Sequence, residues 1–243
     1  MDDGAKTLED SIAMVRTAAA AGTTDLVATP HANPTYKFDP ALIRERFAEL
    51  EAAVGGEIRL YTGCDFHLSY DNIQDAIANP RKYTIHQNRY VLVEFSDLLI
   101  FRNTAEIFER LQEAGMTPII THPERNGLLR QRLEEIAKWV EAGAYVQATG
   151  QSLVGHFGRK AAEFSKDLLD RRLVHFIASD GHDLKYRPPK MDEAHAWLAK
   201  NYGERLAELL CVRNPRAALT GGDVELPDAE IGPKSRKWYQ VWR

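Results

Sequence analysis

Short apolar runs alternate with amphipathic helical stretches along nearly the whole chain, and this alternation restricts the fold more than any other feature of the sequence. The runs are Asp25–Thr29, Ile58–Thr62, Tyr90–Phe95, Thr117–Thr121, Tyr145–Ala148 and Leu173–Ala178. Each has the length and the near-continuous apolar character of a strand covered on both faces. Helical periodicity fills the intervals: Ser11–Ala21 after a Thr7 cap, Pro40–Val54 closed by Gly55–Gly56, a short turn of helix near Asn72–Ala78, Thr104–Ala114, Leu133–Ala142 and Lys160–Arg171. Helices near Asp192–Lys200 and Glu204–Leu210 follow the last run. Strand–helix alternation of this regularity predicts a parallel α/β sheet, open or closed. No Gly-rich phosphate loop follows any strand, which argues against a doubly wound nucleotide fold and for a barrel. The series opens on a helix, so the barrel is expected to lack its first strand.

With 31 basic and 35 acidic side chains the formal charge is −4, so there is no broad positive field to hold nucleic acid through its phosphates. The two cysteines, Cys64 and Cys211, stand far apart and form neither a disulfide framework nor a zinc ribbon. No apolar run approaches the roughly 18 residues of a membrane helix, and the acidic start MDDGAKTLED lacks a signal-peptide core. A cytoplasmic protein without direct membrane insertion is expected. Residues 1–223 read as the barrel domain. Residues 224–243 lose periodicity and read as a peripheral tail, docked by Trp238, Tyr239 and Trp242.

In a barrel of this class the chemistry gathers at the C-terminal ends of the strands. Here those ends carry metal-ligand side chains: His31 in TPHANP, Asp65 and His67 in TGCDFH, Glu94 in VLVEFS, His122, Glu124 and Arg125 in THPER, and Asp180 and His182 in ASDGHD, with Arg187 before Pro188–Pro189. Each has an ordinary alternative as a cap or a paired core charge. A carboxylate inside the apolar run of Glu94 is costly unless paired or ligating. Their joint placement at successive strand ends favours a metal site, and imidazole with carboxylate suits Mn²⁺, Fe²⁺ or Zn²⁺ in an open, catalytic centre. His67, His86, His156, His175 and His195 read as structural or surface groups, and Cys64 as a small apolar residue.

In their order along the chain, DDG, TPH, GCDFH, VLVEFS, THPERN, IASDGH…RPP and the RNP at Asn214 resemble the PHP (polymerase and histidinol phosphatase) superfamily. Within it they resemble the CpsB/YwqE-type protein-tyrosine phosphatases of bacterial capsule and exopolysaccharide loci. The resemblance runs to about Asp223. It implies a distorted (β/α)7 TIM-like barrel and up to three divalent ions, commonly manganese. By the same resemblance Asp3, His31 and His182 hold one ion and Asp65, Glu94 and His122 a second. Asp65 bridges to a third ion that Asp180 also binds. Arg125 and Arg187 match positions that clamp the phosphate. The family opens with a strand bearing an H-x-H pair before DDG; here the sequence reads Met1-Asp2-Asp3-Gly4, so fewer ions and weaker activity are expected. The implied reaction is metal-assisted hydrolysis of a phosphomonoester. Its implied substrate is phosphotyrosine on the tail of a bacterial tyrosine kinase that drives polysaccharide export. A small-molecule phosphatase, histidinol phosphate being one substrate, and a non-catalytic binding module are the alternatives. Oligomerisation is left open.

Overall fold

The computed structural model describes residues 1–227. Its helices begin where the sequence supplies partners for the free N–H groups. Thr7 and Asp10 form a reciprocal capping box at α1 (Leu8–Ala20). Asp39 caps α2 (Pro40–Val54), which has proline in its first turn and a left-handed Gly55 at its end. Ser69 caps α3 (Tyr70–Ala78). The remaining helices are α4 (Thr104–Glu113), α5 (Leu133–Glu141), α6 (Gly150–Leu153), α7 (Arg159–Asp170), α8 (Asp192–Tyr202), α9 (Glu204–Glu208) and α10 (Asn214–Thr220). A π-helical turn, Leu209–Arg213, joins the last two.

The expected six strands are present, but two of them are broken. The first run continues past Thr29–Pro30 as β1 (Asp25–Ala28) and β2 (His31–Ala32), and the second past Gly63–Cys64 as β3 (Arg59–Thr62) and β4 (Asp65–His67). The same offset of partners, Ala28 with Thr62 and His31 with Asp65, holds on both sides of the break, so the ribbon bends without slipping register. His31, Asp65 and His67 therefore sit within strands, where the sequence suggested loops just beyond them. The other strands are β5 (Tyr90–Glu94), β6 (Thr117–Thr121), β7 (Tyr145–Thr149) and β8 (Phe176–Ala178), the last shorter than its apolar run.

All pairings are parallel, in the order β2-β4-β5-β6-β7-β8, with β1 and β3 forming a separate pair. No closed ladder forms among the described residues; β2 and β8 are the two edges. Side chains alternate across the sheet as the pleat demands. Val91, Val93, Ile120, Val146 and Ile177 pack under the helices in the main core, whereas Tyr90, Leu92, Ile119 and Phe176 point to the other face. There they meet Ile85, Ala218, Leu219 and Val224. A cavity of about 1270 Å³ opens on this second face, bounded by Val27 and Ala28 on one edge and Phe176 and Ile177 on the other.

At the start of the expected tail, Val224 is buried, and Glu225 exchanges backbone hydrogen bonds with the Asn214 side chain. Trp238, Tyr239 and Trp242 lie outside the described residues.

Candidate metal centre

Period-2 alternation explains why the polar groups share one face. Glu94 follows Leu92 by two residues on the inner face, and in the parallel register Asp65 lies opposite Leu92 and His67 opposite Glu94. His31 lies opposite Asp65. These side chains thus occupy two successive same-face rungs at the C-terminal end of the sheet, His31 with Asp65 and then His67 with Glu94. The loops after β6 and β8 bring His122, Asp180 and His182 to the same place, where they line the cavity together with His31 and Asp65.

Two groups within this row are close enough to hold an ion, each with donor atoms lying within 4.8 Å of one another: Asp3, His31 and His182, and His31, Asp65 and Glu94. His31 Nε2 is 3.3 Å from Asp3 Oδ1, and His182 Nε2 is 3.6 Å from the same oxygen. On the other side of its ring, His31 Nδ1 stands 3.5 Å from Asp65 and 3.7 Å from Glu94. That nitrogen is buried and makes no hydrogen bond, an arrangement proteins avoid unless something else satisfies the atom. His122 Nε2 lies 3.8 Å from both Asp65 and Glu94. Imidazoles and carboxylates packed at these separations, with an orphaned ring nitrogen among them, fit a divalent cation.

The electrostatics agree. Burial disfavours the charge on Glu94, but His67, His122 and His31 outweigh it and hold its pKa below the usual carboxylate value. Burial also opposes a proton on His122, yet Asp65 and Asp180 raise its pKa to about 9. Without a cation, the ring proton neutralises the carboxylates.

Asp180 is placed differently from the rest. Its Oδ2 accepts from both Arg125 and Arg187, and its Oδ1 is 3.8 Å from His182 Nδ1. Its pKa is lowered because His122, both arginines and His182 outweigh its desolvation. The two arginines of widely separated loops therefore meet at one carboxylate oxygen. The Arg125 guanidinium also lies over the Phe157 ring, 4.4 Å from its centroid. His122 (φ 34°) and Asp180 (φ 49°) both adopt left-handed backbone conformations, a strain that non-glycine residues hold mainly where function requires it.

Sequence reasoning passed over several groups here. His67 Nδ1 is 3.7 Å from Glu94, and its spacing of two from Asp65 on one strand was the available signal. Asp2 accepts from the His31 backbone N–H at 3.1 Å and steadies the segment carrying Asp3; no local pattern marks it. Tyr36 stacks on His31 with ring centroids 6.1 Å apart. By contrast His175 lies in the core, its Nδ1 accepting from Val146 N–H. Cys64 is fully buried, which pushes its thiol pKa well up and leaves it unreactive.

Comparison with known proteins covers the segments that carry these residues. The family model described as capsular polysaccharide synthesis, CpsB/CapC, matches residues 1–220. Tyrosine-protein phosphatase YwqE of Bacillus subtilis is 35% identical over 86% of this chain and 84% of its own length. Tyrosine-protein phosphatase CpsB of Streptococcus pneumoniae is 30% identical over 89% and 92%. The crystal structures of YwqE and CpsB, described as unique metal-dependent tyrosine phosphatases, include a chain that superposes with a TM-score of 0.86 at 32% identity, covering 97% of this chain and 96% of that one. With a family model spanning nearly all of the described residues and relatives matched along most of their length, the chain belongs to the CpsB/CapC family of capsular polysaccharide synthesis.

Proposed function

We propose that this protein is a metal-dependent phosphomonoesterase, a protein-tyrosine phosphatase of a capsule or exopolysaccharide locus. The observation that carries the reading is the juxtaposition of a histidine–carboxylate row with two arginines that converge on Asp180, a residue lining the same cavity as His31, Asp65, His122 and His182. Its relatives' names supply the substrate class. In this reading Asp3, His31 and His182 hold one divalent ion, and Asp65, Glu94 and His122 a second. Asp65 and Asp180 would contribute to a third. Manganese suits the donor set. Such ions supply charge to phosphoryl oxygens and make a water acidic enough to attack phosphorus.

The chain's own groups do the rest. Arg125 and Arg187 present guanidinium forks to the phosphoryl oxygens, a match of geometry as well as charge. Asp180 Oδ2 takes the position between them that an anionic substrate oxygen would fill. The Phe157 face fixes the Arg125 plane. No cysteine takes part, in keeping with the buried Cys64.

We read the open parallel sheet as the wall of a distorted (β/α)7 barrel, residues 1–223 as its domain and 224–243 as peripheral. The substrate we assign is the phosphotyrosine-bearing tail of a bacterial tyrosine kinase, and the compartment the cytoplasm. Among the described residues no helix is long and apolar enough to cross a membrane.

The test is phosphate release from a phosphotyrosine peptide and from histidinol phosphate, with manganese and after chelation. Manganese-dependent release preferring the peptide supports the reading. Preference for histidinol phosphate makes the protein a small-molecule phosphatase, and no release from either makes it a binding module.

A further inference from the structure

The loop after β6 carries His122 and Arg125, and it does so in a strained form, with His122 at φ 34°. Something must hold it. Between those two residues Glu124 turns the opposite way, into the protein, and is completely buried. Its Oε1 accepts from the backbone N–H of Thr149, the last residue of β7, at 2.9 Å. The same oxygen accepts from the Ser152 hydroxyl on α6 at 2.7 Å. Ser152 and Thr149 are themselves buried. Glu124 Oε2 is buried without a hydrogen-bond partner, and so are the Thr149 hydroxyl and the Gln151 side-chain oxygen.

The backbone around it is tied on the other side. Arg130 donates to the carbonyls of both Glu124 and Arg125, at 2.9 Å each. Asn126 accepts from the N–H groups of Leu128 and Leu129 and donates to the carbonyls of Phe95 and Ser96. The His122 backbone N–H donates to the Gln147 carbonyl of β7 at 2.8 Å, but among these ties only the Glu124 side chain reaches Thr149 at the end of β7 and Ser152 on α6. A buried carboxylate without a cation is expensive, and a neutral side chain would be the cheaper way to fill the space. One carboxylate oxygen, however, holds both the Thr149 N–H and the Ser152 hydroxyl. No ion pair to Glu124 is found among the described residues.

The geometry points to Glu124 as a positioning residue. Its buried carboxylate pins the strained loop against β7 and α6 and so fixes where the Arg125 guanidinium stands, without touching substrate or metal. The inference rests on the phosphatase reading only for what Arg125 does; that Arg125 is positioned through Glu124 is independent of it.

Two measurements on the full chain test this. The first is NMR of arginine Nε–Hε groups, with Arg125 assigned through Arg125→Lys. In Glu124→Gln, which keeps shape but exchanges one carboxylate oxygen for an amide group, the Arg125 signal should move toward that of a free arginine and lose its heteronuclear NOE. Ser152→Ala, which spares the carboxylate, should shift it the same way by less. Ile136→Val, or Ile136→Ala if needed to match the fall in melting temperature, should leave it alone. An unmoved Arg125 signal in folded Glu124→Gln, or an equal shift in the Ile136 control, overturns the proposal.

The second is inhibition by inorganic phosphate during aryl phosphate hydrolysis. Glu124→Gln should weaken it about tenfold or more at unchanged manganese content, while the Ile136 control does not. Equal phosphate inhibition in Glu124→Gln and wild type also overturns the proposal. Should the wild type bind no phosphate at all, the phosphatase reading fails, and the Arg125 signal still decides the role of Glu124.

Discussion

The proton on His122 competes with any cation the site takes up. Burial opposes that proton, but the Asp65 and Asp180 carboxylates raise the pKa to about 9. An imidazole nitrogen accepts a metal only when it is unprotonated. At pH 7 the ring stands about two pH units below that value, so neutralising it costs about 3 kcal/mol, or roughly 100-fold in apparent affinity. Raising the pH from 7 to 8.5 increases the neutral fraction about 25-fold, and the affinity for manganese should follow. Titration calorimetry at pH 7 in two buffers of different ionisation enthalpy should register close to one proton released for the ion that His122 binds. His122→Asn, which has no such proton, should flatten the dependence and abolish the release. A pH-independent affinity in the wild type, with no proton released at pH 7, would refute the argument that His122 carries a proton the metal must displace.

Three further outcomes follow from the same geometry. Arg125→Ala or Arg187→Ala should cut turnover of a phosphotyrosine peptide about 100-fold or more while bound manganese, measured by atomic absorption, stays near wild type; a loss of metal equal to that in Asp65→Ala would exclude a phosphate-binding role. A Cβ at Gly181 would stand 2.7 Å from Pro189 Cβ and 2.8 Å from its Cα, so Gly181→Ala should push apart the loop that holds Asp180 and His182 and lower manganese affinity, and unchanged binding would mean the loop gives way freely. His175 is buried, which lowers its pKa to about 4; the unfolded chain therefore binds the extra proton below about pH 6.5. Stability from this group is full above that pH and falls by about 3 kcal/mol as the pH drops to 4. Urea unfolding at pH 7 and 4.5 should show a smaller loss in His175→Gln than in wild type, and equal losses would count against the buried neutral ring.

The alternation of apolar runs with capped helices made the parallel α/β sheet legible residue by residue, because strand and helix periods are local properties of the chain. Thr7 and Gly55 marked helix ends for the same reason. The gathering of polar groups at the strand ends was legible too, since His31, Asp65, Glu94, His122, Asp180 and His182 are imidazoles and carboxylates recurring at equivalent places in successive units. What local patterns could not carry was distance across the sheet. Only the tertiary structure brings Arg125 and Arg187 onto the same Asp180 oxygen, sets His67 beside Glu94, and folds Glu124 inward to Thr149 and Ser152. The breaks at Thr29–Pro30 and Gly63–Cys64, which put His31, Asp65 and His67 on strands rather than loops, also involve a neighbour: the paired ribbons break together, in unchanged register. Sequence thus marked most of the groups that gather at the end of the sheet. Packing across strands far apart in the chain decided which of them touch, because contact depends on register and loop strain that no single segment contains.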